Sequence, residues 1–419
     1  MRRIAAAVTA LTCAFVLLTA PPAQARTAGS YSGTLASGAT WIADVPERWN
    51  RTTILYSHGF GPLVAQNAPD AATKAELLAQ GYTLAGSSYS GASWWALESA
   101  VDDQFATLDE VAGITGRPHR VIAWGTSMGG LVSALEAEDR RRRIDGALTT
   151  CGLVAGALNL NEYQLFGEYA LAHLLGADVQ LVRYAGMAEG AAAAQALSTA
   201  VAAAQTTAAG RARTALGAAL LNDPGGAALP LQFIMPARYQ VELAAGGNSS
   251  ATAGVDFAAL LHSSPRAAEV RALYRDAGLD LRADLRALTR DADITADRRA
   301  IATLARTSTP TGRLLVPELN IHTTVDQLVP VEQENWYAQR VHRAGRAGLL
   351  RQAYVDGIGH CAFRPAESIA ALHALEHRIA TGRWDAVTSP ESLNAAAGGQ
   401  GRYLHYRPAR LVGGLGEPR

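Results

Sequence analysis

The chain has 419 residues, 49% hydrophobic and 18% charged, with 37 Lys+Arg against 37 Asp+Glu. That size and apolar share suit a globular protein with a sizeable core, as one elaborated domain or two. The balanced charge leaves no electrostatic case for nucleic acid or an anionic membrane surface as a partner.

Residues 1–25 read as a secretory signal, with Arg2 and Arg3 at the basic end, an apolar run from Ile4 to Ala20 and a small-residue cleavage site at Ala23-Gln24-Ala25. Its removal takes two of the 37 basic residues and leaves 35 against 37 acidic ones, a net charge near −2. The apolar run is short for a membrane span, and no later stretch is long enough to cross a bilayer. The expectation is an exported, soluble chain with no stable membrane anchor. Cys13 falls within the signal, so the mature chain keeps Cys151 and Cys361. An even number of cysteines in an exported protein favours a disulfide.

In chain order, Tyr31 to Ala43 alternates loosely and predicts a hairpin with Trp41 and Ile42 on its buried side. Thr52 to Ser57 is β-branched and apolar, a central strand running into the turn His58-Gly59-Phe60-Gly61. Helical spacing from Ala68 to Gln80 stops at Gly81. Tyr82 to Tyr89 is a strand, Glu98 to Ala112 a helix and Arg120 to Trp124 another strand. A helix from Met128 ends in the basic run Arg140 to Arg143, read as a solvated helix end, and Asp145 to Thr150 is the next strand. Strands alternating with helices predict a parallel sheet covered on both faces.

Residues 156–311 break this rhythm. They are alanine-rich, with helical spacing at Leu165–Leu175, Ala188–Ala204 and Val270–Leu288, and are too long for a loop in a compact domain. We read them as a helical insertion. The rhythm resumes with a strand at Leu314–Ile321, a helix at Val331–Ala344, a strand at Arg351–Asp356 and a closing helix at Pro365–Thr381. The Gly-containing residues after 385 read as a tail laid on the surface or partly mobile.

The chemistry centres on Val121-Ile122-Ala123-Trp124-Gly125-Thr126-Ser127-Met128-Gly129-Gly130, an apolar strand ending in G-x-S-x-G. A serine on a sharp strand-to-helix turn projects its hydroxyl above the sheet, with the next amide placed to meet an oxyanion. With the element order in place, the sequence resembles the α/β-hydrolase superfamily over about Thr52–Cys151 and Arg313–Thr381. Four stretches at the ends of successive strands carry the resemblance. His58-Gly59-Phe60 is similar to the oxyanion turn and Gly125-Thr126-Ser127-Met128-Gly129 to the nucleophile elbow. His322-Thr323-Thr324-Val325-Asp326-Gln327-Leu328-Val329-Pro330 is similar to the acid loop, and Gly359-His360-Cys361 to the histidine loop. The order Ser–Asp–His is also the family's.

The resemblance implies Ser127 as nucleophile, His360 as its base and Asp326 as the acid that holds the imidazole tautomer. It places the oxyanion against the amides of Phe60 and Met128, with His58 a structural turn residue. Asp356, also near the histidine in sequence, is a rival acid. Trp94 and Trp95 follow a strand on the serine's side of the sheet and either wall a substrate pocket or pack in the core. Cys151 and Cys361 both end strands on that side, and the histidine loop must reach back toward Ser127, so the two are expected to form a disulfide. His373-Ala374-Leu375-Glu376-His377 has the H-x-x-E-H pattern of a zinc site. Too little helical sequence follows to supply the missing carboxylate ligand, so neither metal nor cofactor is expected.

The expected architecture is a mostly parallel α/β-hydrolase sheet with helices on both faces and a helical cap inserted after the sixth strand. In residues this gives the signal at 1–25, core at 26–155 and 312–385, cap at 156–311 and tail at 386–419. The expected activity is secreted carboxylic-ester hydrolysis through an acyl-enzyme on Ser127. An exported exo- or aminopeptidase with the same triad, an acyltransferase, and a non-catalytic binding protein on a hydrolase scaffold are the alternatives. The expected partner is a small-molecule ester or peptide substrate. Nothing in the sequence speaks to oligomeric state.

Overall fold

The computed structural model describes residues 28–224 and 229–414; the segment read as a signal, 1–25, lies outside the described residues. The chain opens with β1 (Gly29–Thr34) and β2 (Thr40–Val45), an antiparallel hairpin. Trp41, Ala43 and Val45 face inward on β2 while Ile42 points to the other, half-buried face. Period-two alternation puts adjacent residues on opposite faces, so Ile42 does not share the buried side of Trp41 as expected.

Next come β3 (Thr52–Ser57), α1 (Ala71–Ala79), β4 (Thr83–Ser87), α2 (Leu97–Thr115), β5 (Arg120–Thr126), α3 (Met128–Glu138) and β6 (Gly146–Thr150). α1 starts three residues later than its apolar spacing, because the Asp70 side chain caps it by accepting from the Thr73 amide. β3 is buried along its whole length. Ile54 and Tyr56 pack on one face of the sheet, Leu55 on the other. A strand covered on both sides has no polar alternation to show, which is why Thr52–Ser57 reads as a continuous apolar run.

After β6 the chain enters α4 (Gly156–Leu175), α5 (Met187–Ala204), α6 (Ala208–Leu220), α7 (Leu231–Ala245), α8 (Phe257–Ser263), α9 (Ala267–Asp276), α10 (Leu281–Asp291) and α11 (Arg298–Thr307). The single helix expected over Val270–Leu288 is two, α9 and α10. Gly278 at φ +68 breaks the run, and Asp280 restarts it by capping the Arg282 and Ala283 amides. These helices share an apolar core of their own around Leu165, Leu216, Met235, Phe257 and Leu288. The entry and exit of this segment are tied together, since the Ala157 amide donates to the Ser308 carbonyl at 2.9 Å.

The sheet then continues through β7 (Glu318–Val325), α12 (Glu332–Arg343), β8 (Leu350–Ile358), α13 (Pro365–Thr381), α14 (Pro390–Ala396) and β9 (Tyr403–Leu404). Nine strands run in the order β1-β2-β4-β3-β5-β6-β7-β8-β9, parallel from β4 to β8 and antiparallel at both edges. α1 and α13 cover one face, and α2, α3 and α12 the other. No helix among the described residues is long and apolar enough to cross a membrane.

The segment expected as a tail is structured. Tyr403 pairs with Val355, and the Asn394 side chain bonds both the amide and the carbonyl of Tyr403. Arg402 reaches the buried Glu367 carboxylate at 2.8 Å. The glycines that made this stretch look loose flank a strand too short to give a periodic signal.

Candidate active site

Ser127 sits between β5 and α3 with φ 59° and ψ −121°, a backbone geometry that strains any residue with a side chain. Two glycines allow it. A Cβ on Gly125 would lie 1.8 Å from the Gly129 carbonyl oxygen, and one on Gly129 would lie 1.9 Å from that of Ser57. The helix is therefore drawn hard against β5 and β3, and only the G-x-S-x-G spacing fits. The turn after β3 passes alongside, since a Cβ on Gly59 would lie 3.3 Å from the Ser127 Cβ. His58 fixes that turn by stacking on Tyr89 at 4.3 Å, and burial lowers its pKa. Phe60 follows Gly59 on the Ser127 side. Met128 opens α3, where the first amides have no acceptor within the helix.

The ends of β7 and β8 bring the other two residues in. His360 Nε2 lies 2.8 Å from Ser127 Oγ, and its Nδ1 lies 2.7 Å from Asp326 Oδ2. Asp326 is buried, and its Oδ1 accepts from the Leu328 and Val329 amides at 3.0 and 2.8 Å. Burial alone would raise its pKa. The His360 charge and the hydrogen bonds from His322 and His360 outweigh it and hold the carboxyl well below the usual carboxylate range. Asp356 is exposed on β8 and takes no part in this group.

His322 was quoted in the acid-loop motif with no role of its own, yet it stands directly behind Asp326. It is fully buried, with Nε2 at 2.8 Å from the Val329 carbonyl and 3.5 Å from Asp326 Oδ2, and Nδ1 at 3.1 Å from Glu334. Burial works against its charge, but Asp326 and Glu334 prevail and push its pKa up from 6.5 to about 10. The folded chain therefore holds a proton that the unfolded chain releases near pH 6.5. That contribution to stability is complete below this pH and is lost as pH rises toward 10. Buried Glu318, pushed up to about 8, acts in the same direction. The melting temperature is expected to fall as pH is raised from 6 to 10, and to fall less in a His322→Gln variant. A melting temperature that climbs over this range would contradict the assignment.

No family model matches the chain. Among curated proteins, the o-phthalyl amidase of Xanthobacter agilis is 28% identical over 417 residues, covering 87% of this chain and 90% of that protein. Solved structures that align with it include Est1E from Butyrivibrio proteoclasticus, at 13% identity over 84% of this chain and 100% of that one, with a TM-score of 0.41. Another is an acylaminoacyl peptidase, at 10% identity over 83% of this chain with a TM-score of 0.40; the alignment spans only 41% of the peptidase. The strand order, the turn at Ser127 and the chain order of the three polar residues agree on one fold. The chain has the α/β-hydrolase fold.

Cys151 and Cys361 are bridged, with their Cα atoms 5.3 Å apart. Cys151 is anchored at the end of β6 by its amide, which donates to Ile321, and the Cys361 sulfur lies 3.4 Å from His360 Nε2. Titration of the denatured, unreduced protein is expected to find neither cysteine as a free thiol. Reduction at a temperature where the fold survives should lower activity by up to about 10²-fold, since small displacements of a catalytic base are that costly. Two free thiols in that titration would refute the bridge.

The H-x-x-E-H residues are engaged separately. His373 meets Gln80 at 2.9 Å, His377 meets Asp385 at 2.8 Å, and Glu376 accepts from Tyr82 and Arg120. Cys151, His360 and Cys361 present ligand-type atoms close together, but the bridge leaves no thiolate to bind a metal.

Beside Ser127 lies a narrow cleft with a cavity volume of about 40 Å³, walled on the core side by Phe60, Trp95 and Leu153. α4 and α7 close it with Leu160, Phe233, Ile234 and Val241, and with the polar Asn161, Gln164 and Arg238. Trp95 thus lines the cleft while buried. Trp94 does not; its ring packs edge-on to Phe60 at 5.8 Å and its amide donates to Gln240 on α7. The sequence offered no signal for the residues from α4 and α7, because no motif marks them.

Proposed function

We propose that the chain is an exported serine hydrolase that transfers an acyl group from a small carboxylic ester or amide to water through an acyl-enzyme on Ser127. The observation that carries this is the unbroken Ser127–His360–Asp326 relay, with spacings of 2.8 and 2.7 Å. His360 takes the Ser127 proton as Oγ attacks the carbonyl carbon, then gives it to the departing alcohol or amine. Water repeats the sequence on the acyl-enzyme, with His360 as base again. Asp326 keeps Nδ1 protonated and stabilises the imidazolium, and the Phe60 and Met128 amides receive the oxyanion. The helical segment between β6 and β7 would act as a cap over the site. Export is supported by the basic-apolar-AxA start of the sequence and by the Cys151–Cys361 bridge.

The ring-lined walls suit an aromatic or compact apolar acyl group. The relative at 28% identity is named for an amide of an o-phthalyl acid, which supports amides beside esters. An aminopeptidase needs a carboxylate to hold the substrate ammonium, and none lines the cleft among the described residues. Labelling by a fluorophosphonate probe tests the nucleophile and excludes a non-catalytic scaffold. A panel of p-nitrophenyl esters, acyl anilides and aminoacyl anilides tests the substrate class. Aminoacyl anilides turned over faster than both acyl series would replace this reading with a peptidase.

A further inference from the structure

The relay, the oxyanion amides and the ring-lined walls leave one charged residue of the cleft lining unused. Arg238 on α7 lines the cleft, yet it is only 1% exposed. Its Nη2 donates to Glu168 Oε2 at 2.8 Å and its Nη1 to Ser250 Oγ at 3.2 Å and the Asn161 carbonyl at 3.5 Å, while Nε has no acceptor among the described residues. Glu168 Oε1 likewise has no partner among the described residues. A buried ion pair contributes little net stability, because desolvating both charges offsets their attraction; well-packed apolar residues would join α4 to α7 as firmly. A guanidinium that is incompletely bonded and borders the cleft beside the nucleophile has the chemistry of a binding group.

The charge balance agrees. Burial raises the Glu168 carboxyl, against the pull of Arg238, and so disfavours the charged form of the arginine's partner. Burial likewise pushes Glu162 up to about 7 and raises Glu242, the other acids whose charges reach Arg238. The carboxamides of Asn161 and Gln164 line the cleft on the same side, whereas the core side is apolar.

We propose that Arg238 is a specificity-determining residue that receives a carboxylate on the substrate's acyl group. The preferred substrates are then half-amides or half-esters of compact dicarboxylic acids, and the product is the free diacid. This rests on the acyl-transfer reading and narrows it. The scissile carbonyl meets Ser127 while the second carboxylate, held in the cap, fixes how deep the acyl group enters.

The test uses matched p-nitroanilides, one member of each pair carrying a free carboxylate and the other its methyl ester, on a glutaryl and on a 2-carboxybenzoyl frame. The wild type is expected to favour the acid member by about 10-fold or more in kcat/KM, the scale of one charge-assisted hydrogen bond. Arg238→Gln should collapse that ratio, Arg238→Lys should keep part of it, and Glu168→Gln should raise it by removing the competing carboxyl. Equal rates on the two members in the wild type would overturn the proposal. So would an unchanged ratio in an Arg238→Gln enzyme whose Ser127 still takes a fluorophosphonate. If Arg238→Gln fails to fold, the ratios of the wild type and of Arg238→Lys decide. Failure of the wild type to react with the fluorophosphonate would instead refute the acyl-transfer reading beneath it.

Discussion

Replacing Ser127 by alanine is expected to lower kcat by about 10⁴-fold or more, since a nucleophile, its base and its orienting acid act as a unit. The hydroxyl is the group that His360 Nε2 meets, at 2.8 Å. The fold should survive. The turn is shaped by Gly125 and Gly129, which pack against backbone and do not depend on the hydroxyl. A variant that keeps a tenth of wild-type activity would show that the nucleophile lies elsewhere.

The second large effect belongs to Asp326→Asn, at roughly 10⁴-fold in kcat. The hydrogen bonds dictate why. Oδ1 accepts from two backbone amides, so the asparagine must keep its carbonyl oxygen there. Its NH₂ then faces His360 Nδ1 and donates to it. The imidazole must move its proton to Nε2, which points at Ser127 and can no longer accept. Asp356→Asn should change the rate little, because that side chain is exposed on β8. A larger loss at Asp356 than at Asp326 would reassign the acid.

What the sequence disclosed followed the range of the interaction. β3 and α13 have the bounds expected from Thr52–Ser57 and Pro365–Thr381, since a continuous apolar run and a Pro start are local signals. Ser127, Asp326 and His360 stand at strand ends, where spacing along the chain carries over into spacing in the site. His322 and Arg238 were opaque for the opposite reason. Each is a buried charge whose meaning lies in partners brought by other elements, Glu334 on α12 for one and Glu168 on α4 for the other. The division of labour between Trp94 and Trp95 depends on how α7 lies across the loop that holds them. β9 escaped because a two-residue strand is defined by its neighbour β8 and not by its own pattern.

The hydrogen bond from Ala157 to Ser308 bears on the speed and order of folding. β6 and β7 are adjacent in the sheet but far apart in the chain, so their pairing has high contact order. Closing a flexible loop of about 150 residues would cost on the order of 4 kcal/mol in chain entropy. The eight helices of that segment have their own apolar core and meet at a tied neck, so they can form first and deliver the two strands side by side. The helical segment then acts as a splint for the sheet. What the sheet requires of the segment is two ends held together.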